Sequence, residues 1–368
     1  RNRKWMIASG LAVWTLATAL CGTAAGFAQL FLWRVLVGVG EATLTPCAFS
    51  MMADLFKPQR LALPAGLYTG ASFIGSGIAL VAGGAILSHL AQSGPPVLPV
   101  LGELKLWQAA FMIAAAPGVL VLVVLLLAVR EPARRGVAAG RPVERPPLRE
   151  VFAVYRAKAR AFNAVFIGVS LLGAVQFAIG AWGPAFLMRV HGWTPGQVGA
   201  AYGLVLILCG TSGAIVGGWL AVRLEGRGGQ GQLRTAQLSA LATLPFALAF
   251  PLAPSGTAAL MLLAPTVFLG SLALGVGPAL TAVLAPPGMR GALIAVNFFA
   301  SGLIGQAIGP WLVALCTDRL FGAPVHVRYS LVLVPCVLLL LALVFIRIGL
   351  GALRKDALSS APAGVRTV

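Results

Sequence analysis

Ten stretches of this chain are apolar and long enough to cross a bilayer. They run at roughly 5–26, 30–53, 62–88, 107–129, 162–188, 196–222, 235–253, 258–285, 291–315 and 329–347. About 20 apolar residues in a helix cover the hydrocarbon layer. Repeated at that length, they exclude a soluble domain and predict an all-α, polytopic membrane protein of about ten helices. Composition agrees: 59% of the 368 residues are hydrophobic, 10% are charged, and the mean hydropathy is +0.93. The seventh stretch is the weakest, being short and interrupted by Pro245 and Pro251.

A net charge of +18 would by itself suit a nucleic-acid binder, but its placement argues otherwise. Of the 27 Lys and Arg, 22 fall in loops on one side of the ten stretches and four on the other, with Arg34 alone inside one. That alternation is the positive-inside pattern. It predicts both chain ends in the cytoplasm, a plasma (inner) membrane location, anionic lipid headgroups facing the basic loops, and no nucleic-acid partner. The five cysteines lie in or beside apolar stretches with no CxxC spacing, so neither a metal site nor a disulfide framework is predicted.

The second stretch carries the chemistry. Arg34 and Glu41 stand seven residues apart, which places them on one helix face, about 10 Å apart along the axis. That is too far for a direct pair, and an ionisable group at membrane depth by default marks a substrate or ion pathway. Glu41 is the only acidic residue well inside a stretch, and a carboxylate there suits reversible proton uptake. Arg34, with its planar donor fork, suits an anionic headgroup or control of Glu41. The bland alternative is a structural charge neutralised by a neighbouring helix. No Walker A, HExxH or GxSxG sequence occurs, so neither an ATP-driven pump nor an enzyme is expected, and no cofactor or metal.

Residues 130–161, with four prolines and nine basic residues, divide four stretches from six. The latter part of this segment, from Leu148, alternates apolar and basic residues at helical spacing, as in an amphipathic helix on the membrane surface. The expected organisation is 1–129 as an N-terminal half, 130–161 as a cytoplasmic loop, 162–347 as a C-terminal half and 348–368 as a tail. The halves echo each other. Lys57-Pro-Gln-Arg60 is followed by Gly75, fifteen residues after the arginine, and Pro287-Gly-Met-Arg290 is followed by Gly305 at the same interval. Gly38-Val-Gly40 likewise answers Gly275-Val-Gly277. Stretches two and three thus pair with eight and nine, a six-span repeat typical of secondary transporters.

On these features the chain resembles the major facilitator superfamily (MFS), whose fold is two pseudo-symmetric six-helix halves. Arg1, Arg3 and Lys4 match the family's basic cluster before its third helix. Arg34, Gly38 and Gly40 match the R-x-x-x-G-x-G of its fourth helix, and Gly75, Gly77, Gly83 and Gly84 loosely match its fifth-helix bend. Gly217-Gly-Trp-Leu-Ala-Val222-Arg223 matches its second-half loop, with Val222 where an acid is frequent. The resemblance implies that the family's first two helices precede Arg1. GVGEA, ADLFKPQR, GPAFLMRVHGW and PPGMRG resemble the spinster-like branch most, with organic-anion symporters as the alternative. It implies a monomeric, proton-linked transporter of an amphipathic, organic-anion or lysolipid-type solute, a non-transporting receptor being the other class weighed. It also implies that Tyr68, Ser72, Gln176, Trp182 and Asn297 face the central cavity, although each suits ordinary interhelical hydrogen bonding at least as well. Gly38, Gly40, Gly75, Gly77, Arg60, Gly217, Arg223, Arg290 and Gly305 are the implied gating and hinge positions.

Overall fold

A computed structural model describes residues 2–55, 62–93, 97–98, 102–132, 147–225 and 230–359. Lys57, Arg60, Arg227, most of the first half of the central loop and the last nine residues lie outside the described residues. Each of the ten apolar stretches forms helix of membrane-crossing length and composition, ten such spans among the described residues. Among the described residues the chain is all-α apart from one antiparallel pairing of Val97–Leu98 with Gly102–Glu103. By internal contacts it divides into two compact units, residues 1–72 with 79–143, and residues 73–78 with 144–368.

The first unit holds α1 (Arg3–Cys21), α2 (Phe27–Glu41), α3 (Leu44–Leu55), α4 (Ala62–Ser93, most of it) and α5 (Leu106–Ala128). Asn2 starts α1 by accepting from the Trp5 amide at 3.3 Å, which satisfies one of the amides a helix start leaves free. One side of α1 buries Ile7, Ala8 and Leu11. Gly10 lets α2 approach, because a Cβ there would meet the Gly40 carbonyl at 2.7 Å. The second apolar stretch is not one helix but two. α2 stops at Glu41, the Ala42 and Thr43 amides bond back to the Gly38 and Gly40 carbonyls, and α3 starts at Leu44.

The second unit holds α6 (Leu148–Ala157), α7 (Ala159–Asn163), α8 (Ser170–His191), α9 (Pro195–Val205), α10 (Thr211–Arg223), α11 (Gln230–Ala249), α12 (Gly256–Ser271), α13 (Val276–Leu284), α14 (Arg290–Ala300), α15 (Gly309–Leu315) and α16 (Val327–Ser359). Among the described residues three π-helical segments, 164–169, 206–210 and 301–308, join helices within single spans, and a fourth, 316–321, ends the ninth span at Gly322. Thr194 and Gln197 form a reciprocal cap at the start of α9, with Pro195 at its first position. Gly192, in the left-handed region at φ 68°, ends α8. The weak seventh stretch is α11, which starts five residues earlier than the sequence suggests. Arg234 there donates to the Leu224 carbonyl at 3.1 Å and to Gln230 at 3.0 Å. Pro245 is accommodated inside α11 and Pro251 falls in the 3-10 turn that follows. Leu233, Phe250, Leu263, Leu331 and Leu339 are fully buried in this unit.

Outward, both units present large apolar side chains: Leu120, Leu127, Ile215 and Met261 are each at least 66% exposed. Such a belt would aggregate in water and is at home in acyl chains.

Candidate functional site

In the first unit α2 packs through Val37 and Gly40, while Arg34, Gly38 and Glu41 share its uncovered face. Glu41 is the last residue of α2, directly at the break before α3. Among the described residues neither Arg34 nor Glu41 makes an ion pair or hydrogen bond. Among the described residues, the face that carries both charges therefore has no polar compensation. Gly38 has open space where a Cβ would lie. Gly40 does not, since a Cβ would meet the Gly10 carbonyl at 2.6 Å. The two glycines thus do different things: Gly40 permits the α1–α2 contact, and Gly38 leaves room beside Arg34.

Of the polar cavity candidates, Tyr68 shares a 2.9 Å hydrogen bond with Thr45 of α3, and Ser72 is exposed on α4. In the second unit Gln176 donates from Nε2 to the Val267 carbonyl at 3.2 Å and packs on Gly270, while its Oε1 is buried without a partner. Trp182 donates to the Pro310 carbonyl at 2.9 Å, and the Arg189 guanidinium lies 5.6 Å from its ring. Asn297 is 1% exposed beside Gly277, and its Oδ1 has no partner. Among the described residues, then, the Gln176 and Asn297 side chains each carry a buried acceptor with no protein partner.

The implied hinge positions divide by packing. Gly77 is buried, and a Cβ there would meet the Gly203 carbonyl at 2.6 Å. Gly217 lies against the backbone of Leu272, with a Cβ 2.6 Å from its Cα. Gly75 has open space, and Gly305 would make only ordinary contact, 3.6 Å from the Phe177 ring. Arg223 stacks on Trp219 at 4.6 Å, and Arg290 reaches the Ala285 carbonyl at 3.4 Å. Arg60 lies outside the described residues.

One polar cluster escaped the sequence reading. Arg3, 4% exposed, pairs with Asp54 at the end of α3 and with Glu131 just past α5, at 2.5 and 2.8 Å. It also donates to Ser50 Oγ at 2.9 Å and to the Pro132 carbonyl at 3.3 Å. The Lys4 amide donates to Glu131 at 2.8 Å, and the Lys4 ammonium donates to the Leu126 carbonyl. Burial pushes the Glu131 carboxyl up, but the Lys4 amide and the Arg3 guanidinium outweigh it and leave it below the ordinary carboxylate value. The one available signal was that Asp54 and Glu131 each sit just past an apolar stretch on the same side as Arg3.

The Major Facilitator Superfamily model matches residues 1–310. An MFS-type efflux pump of Mycolicibacterium smegmatis is 30% identical over 315 residues, covering 86% of this chain and 69% of the pump. Protein spinster homolog 1 of Homo sapiens is 29% identical over 342 residues, covering 87% of this chain and 61% of that protein. Among solved structures, a bacterial homologue of the human lysosomal transporter Spinster, inward-facing and unoccupied, superposes with a TM-score of 0.78. It is 24% identical, with 97% of this chain and 84% of that one covered. The fold is therefore shared with that transporter. The chain spans about three fifths of the length of the spinster relatives it matches, and it belongs to the Major Facilitator Superfamily.

Proposed function

We propose that the chain belongs to a proton-coupled secondary transporter that moves an amphipathic or organic-anion solute, of lysolipid type if it follows its spinster relatives. The observation that carries this reading is the uncovered face of α2, where Arg34 and Glu41 share one side without a hydrogen-bond or ion-pair partner among the described residues. Lipid would satisfy neither charge. A cavity holding an anionic group would satisfy Arg34, and exchange of a proton with water would let Glu41 become neutral during the cycle. The halves 1–129 and 162–347, joined by 130–161, would rock about that cavity in alternating access. The protein acts as a monomer in the plasma membrane, with its basic loops in the cytoplasm.

The test is solute uptake into proteoliposomes under an imposed pH gradient, with the gene's full reading frame and a panel of lysolipids and amphipathic anions. Glu41→Gln should abolish accumulation driven by the gradient and leave solute exchange in part, because a fixed neutral side chain still permits rocking. Gradient-driven accumulation by Glu41→Gln with unchanged pH dependence removes Glu41 from the coupling. Ligand binding with no movement of any solute favours a receptor instead.

A further inference from the structure

We propose that α6 and the chain start of the following span form a docking site for anionic lipid headgroups, independent of the solute that is carried. α6 is not a continuation of the span. It ends at Lys158, whose backbone leaves the helical region at φ −120° and ψ 31°, and α7 begins at Ala159. One stripe of α6 ties it to the root of that span. Val151 is buried, and the Tyr155 ring lies parallel to Phe166 at 6.3 Å and 6.1 Å from Phe162. The Tyr155 hydroxyl donates to Asn163 at 2.8 Å. The span runs 33 residues, well beyond the roughly 20 that hydrocarbon needs, so its first turns belong to the headgroup layer. The aromatic tether holds α6 at that depth.

The stripe beside the tether is left open. Leu148 and Phe152, one turn apart, are 85% and 61% exposed. Arg149 and Arg156 flank them on the next stripe, and Lys158 and Arg160 follow in the chain, all exposed. Glu150 is the only acid in this segment and falls on the far side of the helix. Two large apolar side chains edged by four cations match the boundary between acyl chains and phosphates, where apolar burial and charge attraction add. A neutral headgroup would use the first contribution and leave the second idle, so the chemistry selects an anionic one.

The experiment uses the full chain with its native cysteines replaced and a polarity-sensitive fluorophore on Phe152→Cys. It is reconstituted in nanodiscs of phosphatidylcholine containing a small matched fraction of either spin-labelled phosphatidylglycerol or spin-labelled phosphatidylcholine. The anionic quencher should act more strongly than the neutral one, and high salt should narrow the gap. In Arg149→Gln/Arg156→Gln the preference should fall on the order of tenfold, as expected for two interfacial cations. Circular dichroism and thermal unfolding of that variant should match the parent, since both substituted guanidinium heads are at the surface. Equal quenching by both lipids in the parent overturns the proposal.

Discussion

Arg3 shows how one side chain can hold three segments together. Its guanidinium is buried, and two carboxylates from the ends of different helices close on it. Removing one member of such a set leaves charges without a partner, which costs about 3–5 kcal/mol for buried pairs. Arg3→Gln should therefore lower the unfolding temperature of the detergent-solubilised protein markedly. Glu131 is more exposed, 24% at its side chain, so screening reduces its share and Glu131→Gln should cost about 1 kcal/mol. The sign of the pH dependence follows from the lowered carboxyl value. Above the unfolded value of roughly 4.3 the ionised Glu131 contributes in full, and the contribution fades as pH falls through the lower folded value. Glu131→Gln should flatten that acid limb in a thermal-unfolding series, and an unchanged limb would leave Glu131 without a role in it. Arg34 stands out in the sequence because it is alone in an apolar run. Arg3 does not, because its meaning lies in Asp54 and Glu131, 51 and 128 residues away, and no local pattern joins them. Arg34→Lys, by contrast, is a test of shape. The ammonium keeps the charge and loses the fork, so solute uptake should fall while stability changes little.

At the scale of elements, length and hydropathy located every span, because a bilayer imposes both on each helix separately. Breaks inside spans were a different matter. The second stretch divides at Ala42–Thr43 and the eighth between Ser271 and Val276, in each case beside the repeated Gly-Val-Gly. The repeat was readable, but the break was not, since hydrophobicity continues straight across it. Glycine roles were hidden for a similar reason. Gly217 and Gly218 are neighbours in sequence and look alike there. In the fold Gly217 lies on the Leu272 backbone, whereas Gly218 is exposed with open space around its missing Cβ. Gly217→Ala should force α10 away from the turn after α12 and destabilise by about 1–3 kcal/mol, as overpacking does. Gly218→Ala should gain up to about 1 kcal/mol from helix propensity. Thermal unfolding of the two variants side by side reads the difference, and equal melting temperatures would show that the α10–α12 contact is slack.

For the whole molecule the sidedness of the charges makes the last prediction. Apolar helices can cross a bilayer in either direction, and what fixes the direction is the cost of moving Lys and Arg across it. The basic residues here alternate over ten spans without an exception large enough to reverse any one of them, 22 against four. This was legible from the sequence, because it depends on counting along the chain and not on any packing. Lys105 and Arg319 belong to the sparse side, Arg156 and Lys355 to the rich side, and all four are exposed. Single cysteines at these positions, in a background lacking the five native ones, can be probed with a membrane-impermeant maleimide. Lys105→Cys and Arg319→Cys should label in intact cells. Arg156→Cys and Lys355→Cys should label only after the membrane is opened. Labelling of the second pair in intact cells would invert the topology and, with it, the assignment of the basic loops to the cytoplasm. It would also move α6 to the outer leaflet, where a cationic surface meets far less anionic lipid.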